Sequence, residues 1–132
     1  MEALAAELGV SGDVTFWGQQ TKTAPFFSAA DAFVMSSISE GLPMSLLQSM
    51  SLGTPAILTD VDGMGEVLRL TQSGLLVPVG DAAAFAEAIV RLAGDEGLRA
   101  EFSRRALEAY ETRFTVEKMA AGYMELYRGR VG

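Results

Sequence analysis

Apolar residues along the chain form short continuous runs that alternate with stretches of helical periodicity. The runs predict strands at Val14–Trp17, Ala32–Met35, Ala56–Leu58 and Gly74–Val77. The stretches between and before them predict helices at Ala3–Leu8, Pro25–Ala30, Pro43–Leu52 and Gly63–Leu70. Strands that alternate with helices indicate an α/β domain, with a parallel sheet of about four strands flanked by helices.

From residue 81 onward the pattern is helical throughout. Asp81 is a favourable N-cap for the first of these helices, and Thr115 is one for the last. The apolar stripes of the three helices comprise Phe85, Ile89 and Leu92; Leu98, Phe102, Ala106 and Ala109; and Met119, Tyr123 and Leu126. We expect all three stripes to face the core, because an amphipathic helix is stabilised by burial of its apolar face. The sequence therefore predicts a C-terminal helical segment after the sheet.

The composition narrows the class of protein. With 132 residues, of which 49% are apolar, the chain is long enough for one domain with a hydrophobic core. It contains no Cys and no His, which excludes thiol chemistry, Cys-zinc sites and an imidazole base. A net charge of −7 argues against nucleic-acid partners. No apolar run is long enough for a transmembrane segment and no signal peptide follows Met1, so we expect a cytoplasmic protein.

The segment between residues 37 and 50 carries the strongest indication of a binding site. An apolar strand ends at Met35, the chain turns at Gly41-Leu42-Pro43, and an amphipathic helix begins. This order of strand, glycine turn and helix N-terminus holds phosphate groups in α/β proteins, because the first backbone N–H groups of a helix have no partner within it. Glu40 is a lone carboxylate at the mouth of the turn. The alternative is a solvated loop carboxylate beside a helix whose Ser45 satisfies its own first turn.

Several blocks of the sequence resemble one enzyme family, and they stand in that family's order. They are Val14–Gly18, Ser28–Met35, Glu40–Pro43 with the helix that follows, Gly53–Asp60, Glu66-Val67 and Ser73–Asp81. On these blocks the whole chain resembles the retaining glycosyltransferases of family 4, which have the GT-B fold. The resemblance implies that residues 1–132 form a single, partial, Rossmann-like domain. This would be the donor-nucleotide half of a GT-B enzyme, without the N-terminal acceptor-binding domain.

The resemblance also implies a reaction, the transfer of a hexosyl group from a UDP- or GDP-sugar to an acceptor, with no cofactor and no metal. Glu40 would be the catalytic residue, facing the donor sugar and stabilising positive charge at its anomeric carbon. Backbone N–H groups would hold the donor at Gly41, Leu42, Met44 and Ser45, since Pro43 has none. Trp17 and Gly18 would line the pocket of the base, although aromatic residues at a strand end can instead pack beneath the sheet.

Position 48 departs from the family pattern. The family has a second Glu there, eight positions after Glu40, whose carboxylate accepts hydrogen bonds from the ribose hydroxyls of the nucleotide. Gln48 offers one acceptor oxygen and presents an NH₂ group in place of the second. We retain Gln48 as a contact to the ribose of the sugar-nucleotide donor. The alternative is an ordinary exposed Gln on a helix.

Other patterns near this segment carry less chemistry. Asp60-Val61-Asp62 has the spelling of a metal-binding Asp-x-Asp, but its place at a strand end favours turn and cap roles. Gly63-x-Gly65 lacks the third glycine of a dinucleotide fingerprint. No Lys or Arg occurs from Thr23 to Leu68, the span that would surround a diphosphate. One helix dipole offers only about half an elementary charge, so we expect weak nucleotide binding.

Alternatives remain for function and for assembly. The chain could be a non-catalytic nucleotide-binding or interaction module of this fold, or a flavodoxin-like receiver, which would need a Lys near its acidic cluster. A full domain of this family begins with two further strands, which lie in the sheet between Val14–Trp17 and Ala32–Met35. We therefore expect the isolated chain to be inactive and the edge of Ala32–Met35 to be unprotected. Either Val14–Trp17 inserts there or two chains pair, and we favour a homodimer. A membrane-peripheral location is open for the full-length enzyme.

Overall fold

A computed structural model describes residues 1–129. Within that range three strands form one parallel sheet in the order β1-β2-β3, which confirms the predicted α/β architecture. The strands are Phe33–Met35 (β1), Ala56–Thr59 (β2) and Gly74–Val77 (β3). In the register of the sheet, Val34 lies opposite Ile57, and Ile57 lies opposite Leu75. The domain bound predicted at residue 132 lies outside the described residues.

Helices precede, connect and follow the strands. They are α1 (Glu2–Glu7), α2 (Ala24–Ala29), α3 (Met44–Ser51), α4 (Met64–Thr71), α5 (Ala82–Gly94), α6 (Glu96–Ala109) and α7 (Val116–Gly129), with a π-helical turn at Tyr110–Phe114. Local signals account for several of their ends. Asp81 caps α5 as predicted, and Asp95 caps α6; each carboxylate accepts a backbone N–H at 2.9 Å. Gly53 follows α3 with φ +70, a conformation that favours glycine.

The hydrophobic core lies on both faces of β2, whose residues are all buried. On one face β2 packs against α3, α4 and α6, with Leu46, Met50, Leu58, Met64 and Ala106 almost fully buried. On the other face Ile57 and Val77 pack against Leu92 of α5 and Phe102 of α6. Because α5 packs on β2 and β3, Val34 of β1 stays 48% exposed on that face.

The predicted strand at Val14–Trp17 does not form. These residues have no regular secondary structure, and within residues 1–129 β1 pairs with β2 alone. Side chains that favour strands do not make one unless a neighbouring strand supplies hydrogen-bond partners. The sheet therefore has three strands in the described part of the chain rather than about four, and Val14–Trp17 does not fill the edge of β1.

The apolar stripe predicted for the last helix is exposed rather than buried. Thr115 caps α7 as expected, because its hydroxyl accepts the N–H of Lys118 at 3.3 Å. Met119, Tyr123 and Leu126, however, are each more than half exposed, at 56%, 56% and 66%. Helical periodicity shows that one face of a helix is apolar, but it does not show that another element covers that face.

The beginning of α7 has the electrostatics of an ordinary helix start. A hydrogen bond from its own backbone N–H, and a second from the Thr115 side chain, hold the pKa of the exposed Glu117 below its usual range.

Among the helices of residues 1–129, none combines the length and the hydropathy that a bilayer-spanning segment needs.

Candidate functional site

Glu40 lies at the carboxyl edge of the sheet, where the loops after the parallel strands come together. Its loop follows β1, and the loop after β2 runs beside it. The two loops enclose a cavity of about 260 Å³ lined by Ile38, Ser39, Glu40, Asp60, Val61 and Asp62. This is the edge at which the sequence places Glu40, and ligands of open α/β sheets bind outside the carboxyl ends of the strands.

The loop that carries Glu40 is fastened to β2. Thr59, the last residue of β2, is buried, and its hydroxyl donates to the backbone carbonyl of Ser37. The Ser37 hydroxyl in turn donates to Oε1 of Glu40 at 3.3 Å. The Glu40 carboxylate is therefore oriented from one side and remains partly exposed.

The backbone N–H groups around the start of α3 follow Glu40 directly in the chain. Within residues 1–129 no hydrogen bond is made by the N–H groups of Gly41, Leu42, Met44 and Ser45. Pro43 is the N-cap residue, and no side chain caps the helix. The alternative in which Ser45 satisfies the first turn is therefore wrong. The carboxyl edge thus combines a carboxylate with a set of donors at the positive end of a helix dipole.

A second cavity opens on the same edge, over the α5 face of the sheet. It has a volume of about 400 Å³ and shares Ile38 with the first. Phe85 and Ile89 of α5 line it together with Thr59. Ile38 itself is 82% exposed. The Glu40 loop therefore separates a cavity lined by carboxylates from a mainly apolar one.

Asp60 forms an ion pair with Arg69 of α4. The Arg69 guanidinium donates through Nη2 to Oδ1 of Asp60. Gly65 leaves room for this pair, since a Cβ there would lie 2.6 Å from Asp60 Oδ1. Within residues 1–129 no group of three or more His, Cys, Asp or Glu side chains is arranged to hold a metal ion. Sequence reasoning missed Arg69 because it follows the stretch without basic residues and only the fold brings it to this edge.

Gln48 is engaged by a residue that the sequence does not single out. Its Oε1 accepts the hydroxyl of Thr23 at 2.8 Å, across 25 positions of the chain. Gln48 lies three positions after Ser45 on α3, which places both on one side of that helix. Because one lone pair of the Gln48 oxygen is used within the chain, its NH₂ group becomes the main feature that it can offer a ligand.

Trp17 is exposed and does not pack beneath the sheet, so that alternative is wrong. Its ring meets Phe26 of α2 edge-on, with ring centroids 5.2 Å apart. Gly18 follows with φ +60. Thr23 is the N-cap residue of α2, and its hydroxyl donates to Gln48, so the segment from Trp17 to Thr23 is fastened to α3 at its far end. The structure thus brings the Glu40 turn to Asp60 and the Trp17 segment to Gln48, and α3 connects the two groups.

Comparison with known proteins identifies relatives of this chain. The sequence profile of the family described as Glycosyl transferases group 1 matches residues 1–95. The lipopolysaccharide core biosynthesis glycosyltransferase LpsE of Rhizobium meliloti is 40% identical over 126 residues, which are 96% of this chain and 37% of that protein. Sucrose-phosphate synthase from Thermosynechococcus elongatus, 32% identical, superimposes with a TM-score of 0.89 over 98% of this chain and 33% of that one.

A further solved structure has the same fold at lower identity. HepE of Anabaena, solved in complex with UDP, gives a TM-score of 0.91 over 97% of this chain and 35% of that one. At 20% identity the likeness concerns the fold alone. The chain spans about a third of the length of these relatives.

Proposed function

Because this chain belongs to the family Glycosyl transferases group 1, we propose that it is the donor-binding part of a retaining glycosyltransferase. The reaction is the transfer of a hexosyl group from a UDP- or GDP-sugar to an acceptor that a separate N-terminal domain binds. The carboxyl edge carries the proposal: Glu40 lies beside the start of α3, whose N–H groups make no hydrogen bond within residues 1–129. A sugar linked to a diphosphate requires both kinds of group.

In this proposal the two kinds of group act on either side of the bond that breaks, between the anomeric carbon and a phosphate oxygen. The N–H groups of the turn hold the diphosphate, and the dipole of α3 offsets part of the charge that the leaving phosphate gains. Glu40 accepts hydrogen bonds from sugar hydroxyls and stabilises the positive charge at the anomeric carbon. The acceptor oxygen forms the new bond on the same face of the sugar and gives its proton to the departing phosphate oxygen. The reaction uses no cofactor and no metal.

The remaining contacts lie along α3. Gln48 reaches the ribose, and its NH₂ group donates to a hydroxyl oxygen while Thr23 occupies its own oxygen. Trp17 and Gly18 face the base, and the exposure of the Trp17 ring supports this role.

The charges of the site predict weak binding of free nucleotide. Arg69 is paired with Asp60, and the span from Thr23 to Leu68 contains no basic residue. Of these groups, the half charge at the start of α3 is therefore what remains to offset the two or more negative charges of a diphosphate. We expect a dissociation constant of about 1 mM for UDP or GDP, which is roughly 4 kcal/mol.

An NMR titration of the ¹⁵N-labelled chain with UDP and GDP tests both the place and the affinity. The amide resonances of Gly41, Leu42, Met44, Ser45 and Gln48 should shift in a saturable way, whereas those of α6 should not. Shifts confined to other regions contradict the site. Micromolar affinity by calorimetry contradicts the charge argument.

One observation favours a non-catalytic nucleotide-binding module as the second candidate. The Thr23–Gln48 hydrogen bond engages the side chain at the position where the family has a second carboxylate. Release of UDP or GDP from a UDP-hexose or a GDP-hexose, measured with an N-terminal acceptor-binding domain fused to the chain, separates the two functions, with Glu40→Gln as the control. Release that depends on Glu40 supports the enzyme, and saturable binding without release supports the module.

We also propose that the chain self-associates through β1. Within residues 1–129 β1 has a strand on one side only, and Val34 is about half exposed. No charge or Pro in Ala32–Met35 discourages another strand from pairing there. Pairing of two such edges gives a symmetric dimer.

A further inference from the structure

Gly63 has an unusual backbone conformation next to the Glu40 loop. It lies between β2 and α4, with φ +71 and ψ −74. The N–H of Met64 donates to the carbonyl of Asp62 at 2.8 Å, which closes a γ-turn centred on Gly63. Residues with side chains seldom adopt a γ-turn of this hand, because its φ is positive.

The backbone of Gly63 also touches the backbone of Gly41. A Cβ on Gly63 would lie 2.1 Å from the carbonyl oxygen of Gly41 and 2.5 Å from its carbonyl carbon. Cβ atoms essentially never come within 3.0 Å of a heavy atom outside their own residue and its two neighbours in the chain, and neither of these atoms belongs to a flexible side chain. Glycine is therefore required at 63 for its φ and for space. The peptide that it supports joins Gly41 to Leu42, one residue after Glu40.

We infer that Thr59 and Gly63 are positioning residues for Glu40. Thr59 holds the Ser37 carbonyl on one side of Glu40, and Gly63 fixes the peptide between Gly41 and Leu42 on the other. The inference rests on the proposed function, in which Glu40 and the N–H groups of Gly41 and Leu42 contact the sugar-nucleotide donor. A Cβ at position 63 would push the Gly41 peptide away by about 1 Å, and a displacement of that size in a site can cost about 100-fold in rate.

The chain contains matched controls for Gly63→Ala. Gly9 has φ +72, and a Cβ there meets nothing within 4 Å, so Gly9→Ala measures the cost of a positive φ without crowding. Gly53 has φ +70, and a Cβ there lies 2.9 Å from Oγ of Ser103 in α6. Gly53→Ala therefore combines a positive φ with crowding away from the Glu40 loop.

The experiment records amide spectra, melting temperature and UDP affinity for the chain and its variants. We expect Gly63→Ala and Thr59→Val to move the resonances of residues 39–45 and to weaken UDP binding about tenfold, the loss expected when one backbone N–H loses its hydrogen bond to a charged phosphate. Thr59→Ser keeps the hydroxyl, so its resonances for residues 39–45 and its UDP affinity should match those of the unaltered chain. Gly53→Ala should lower the melting temperature without either effect, and Gly9→Ala should leave resonances 39–45 in place.

The outcomes separate this inference from the proposed function. If Gly63→Ala folds and leaves the resonances of Gly41 and Leu42 unchanged, Gly63 does not position the loop. If Gly53→Ala weakens UDP binding as much as Gly63→Ala does, the weakening is a result of lost stability, and the inference is overturned. If the unaltered chain does not bind UDP, the proposed function fails, and the resonance shifts alone decide about positioning. If Gly63→Ala does not fold, the comparison of Thr59→Val with Thr59→Ser decides.

Discussion

Replacement of Gln48 by Glu should tighten UDP binding about fivefold, because it adds an acceptor where the chain now presents a donor. In the structure the Thr23 hydroxyl donates to Oε1 of Gln48 at 2.8 Å. A carboxylate at position 48 can keep that bond on one oxygen and accept a ribose hydroxyl on the other. The helix and the turn before it need not move, since Gln and Glu have the same shape.

The size of the gain follows from two opposing effects. A hydrogen bond to a charged acceptor contributes about 1.5–3 kcal/mol, and the neutral bond of the Gln48 NH₂ group that it replaces contributes about 0.5–1.5 kcal/mol, so the exchange favours Glu by about 1–1.5 kcal/mol. The added charge repels the diphosphate by about 0.5 kcal/mol per negative charge at roughly 8 Å in water, and salt reduces this further. The net gain is about 1 kcal/mol, and about 1.4 kcal/mol would be tenfold.

Titration calorimetry at constant ionic strength measures this change. UDP and its 2′,3′-dideoxy analogue are compared on the chain and on Gln48→Glu. The variant should bind UDP more tightly and the analogue no better, because the analogue lacks the hydroxyls. Combination of Gln48→Glu with Thr23→Val should retain most of the gain, since the ribose bond uses the other oxygen. Unchanged or weaker UDP binding, or an equal gain for the analogue, refutes the ribose contact.

Two further predictions concern stability and assembly. Asp81→Ala should lower the free energy of unfolding by about 1 kcal/mol in urea denaturation, because the N–H of Ala84 loses its acceptor, which is 2.9 Å away. Asp81→Asn keeps an acceptor and should lose much less; equal losses contradict the cap. Sedimentation at low micromolar concentration should show a dimer, and Val34→Lys should shift it to monomer by placing a charge beside the β1 edge. A monomeric unaltered chain rules out pairing through β1.

Local sequence signals were sufficient for most of the sheet and its helices. Gly74–Val77 was predicted with its observed bounds, and Ala56–Leu58 was one residue too short, because both are apolar runs closed by turn residues. Val14–Trp17 has similar composition but no adjacent strand within residues 1–129, so composition alone was misleading. The stripe of α7 was read correctly as apolar and wrongly as buried, because burial depends on a second surface that no periodicity describes.

The same distinction applies to the candidate site. The place of Glu40 could be predicted because the order of strand, glycine turn and helix is contiguous in sequence. The contacts of Gln48 with Thr23 and of Asp60 with Arg69 join residues that are 25 and 9 positions apart. No spacing rule connects such pairs, since only the packing of α2 on α3 and the path of α4 bring them together.

The carboxylates around the cavity beside Glu40 have a consequence for the speed of binding. Asp60 and Asp62 line this cavity with Glu40, and the whole chain carries a net charge of −7. An approaching nucleotide anion therefore meets a repulsive field before it reaches the donors of α3. The reach of that field shrinks from about 30 Å at 0.01 M salt to about 10 Å at 0.1 M. Added salt should thus accelerate encounter at this site, the reverse of its effect on proteins that attract nucleotides with basic surfaces.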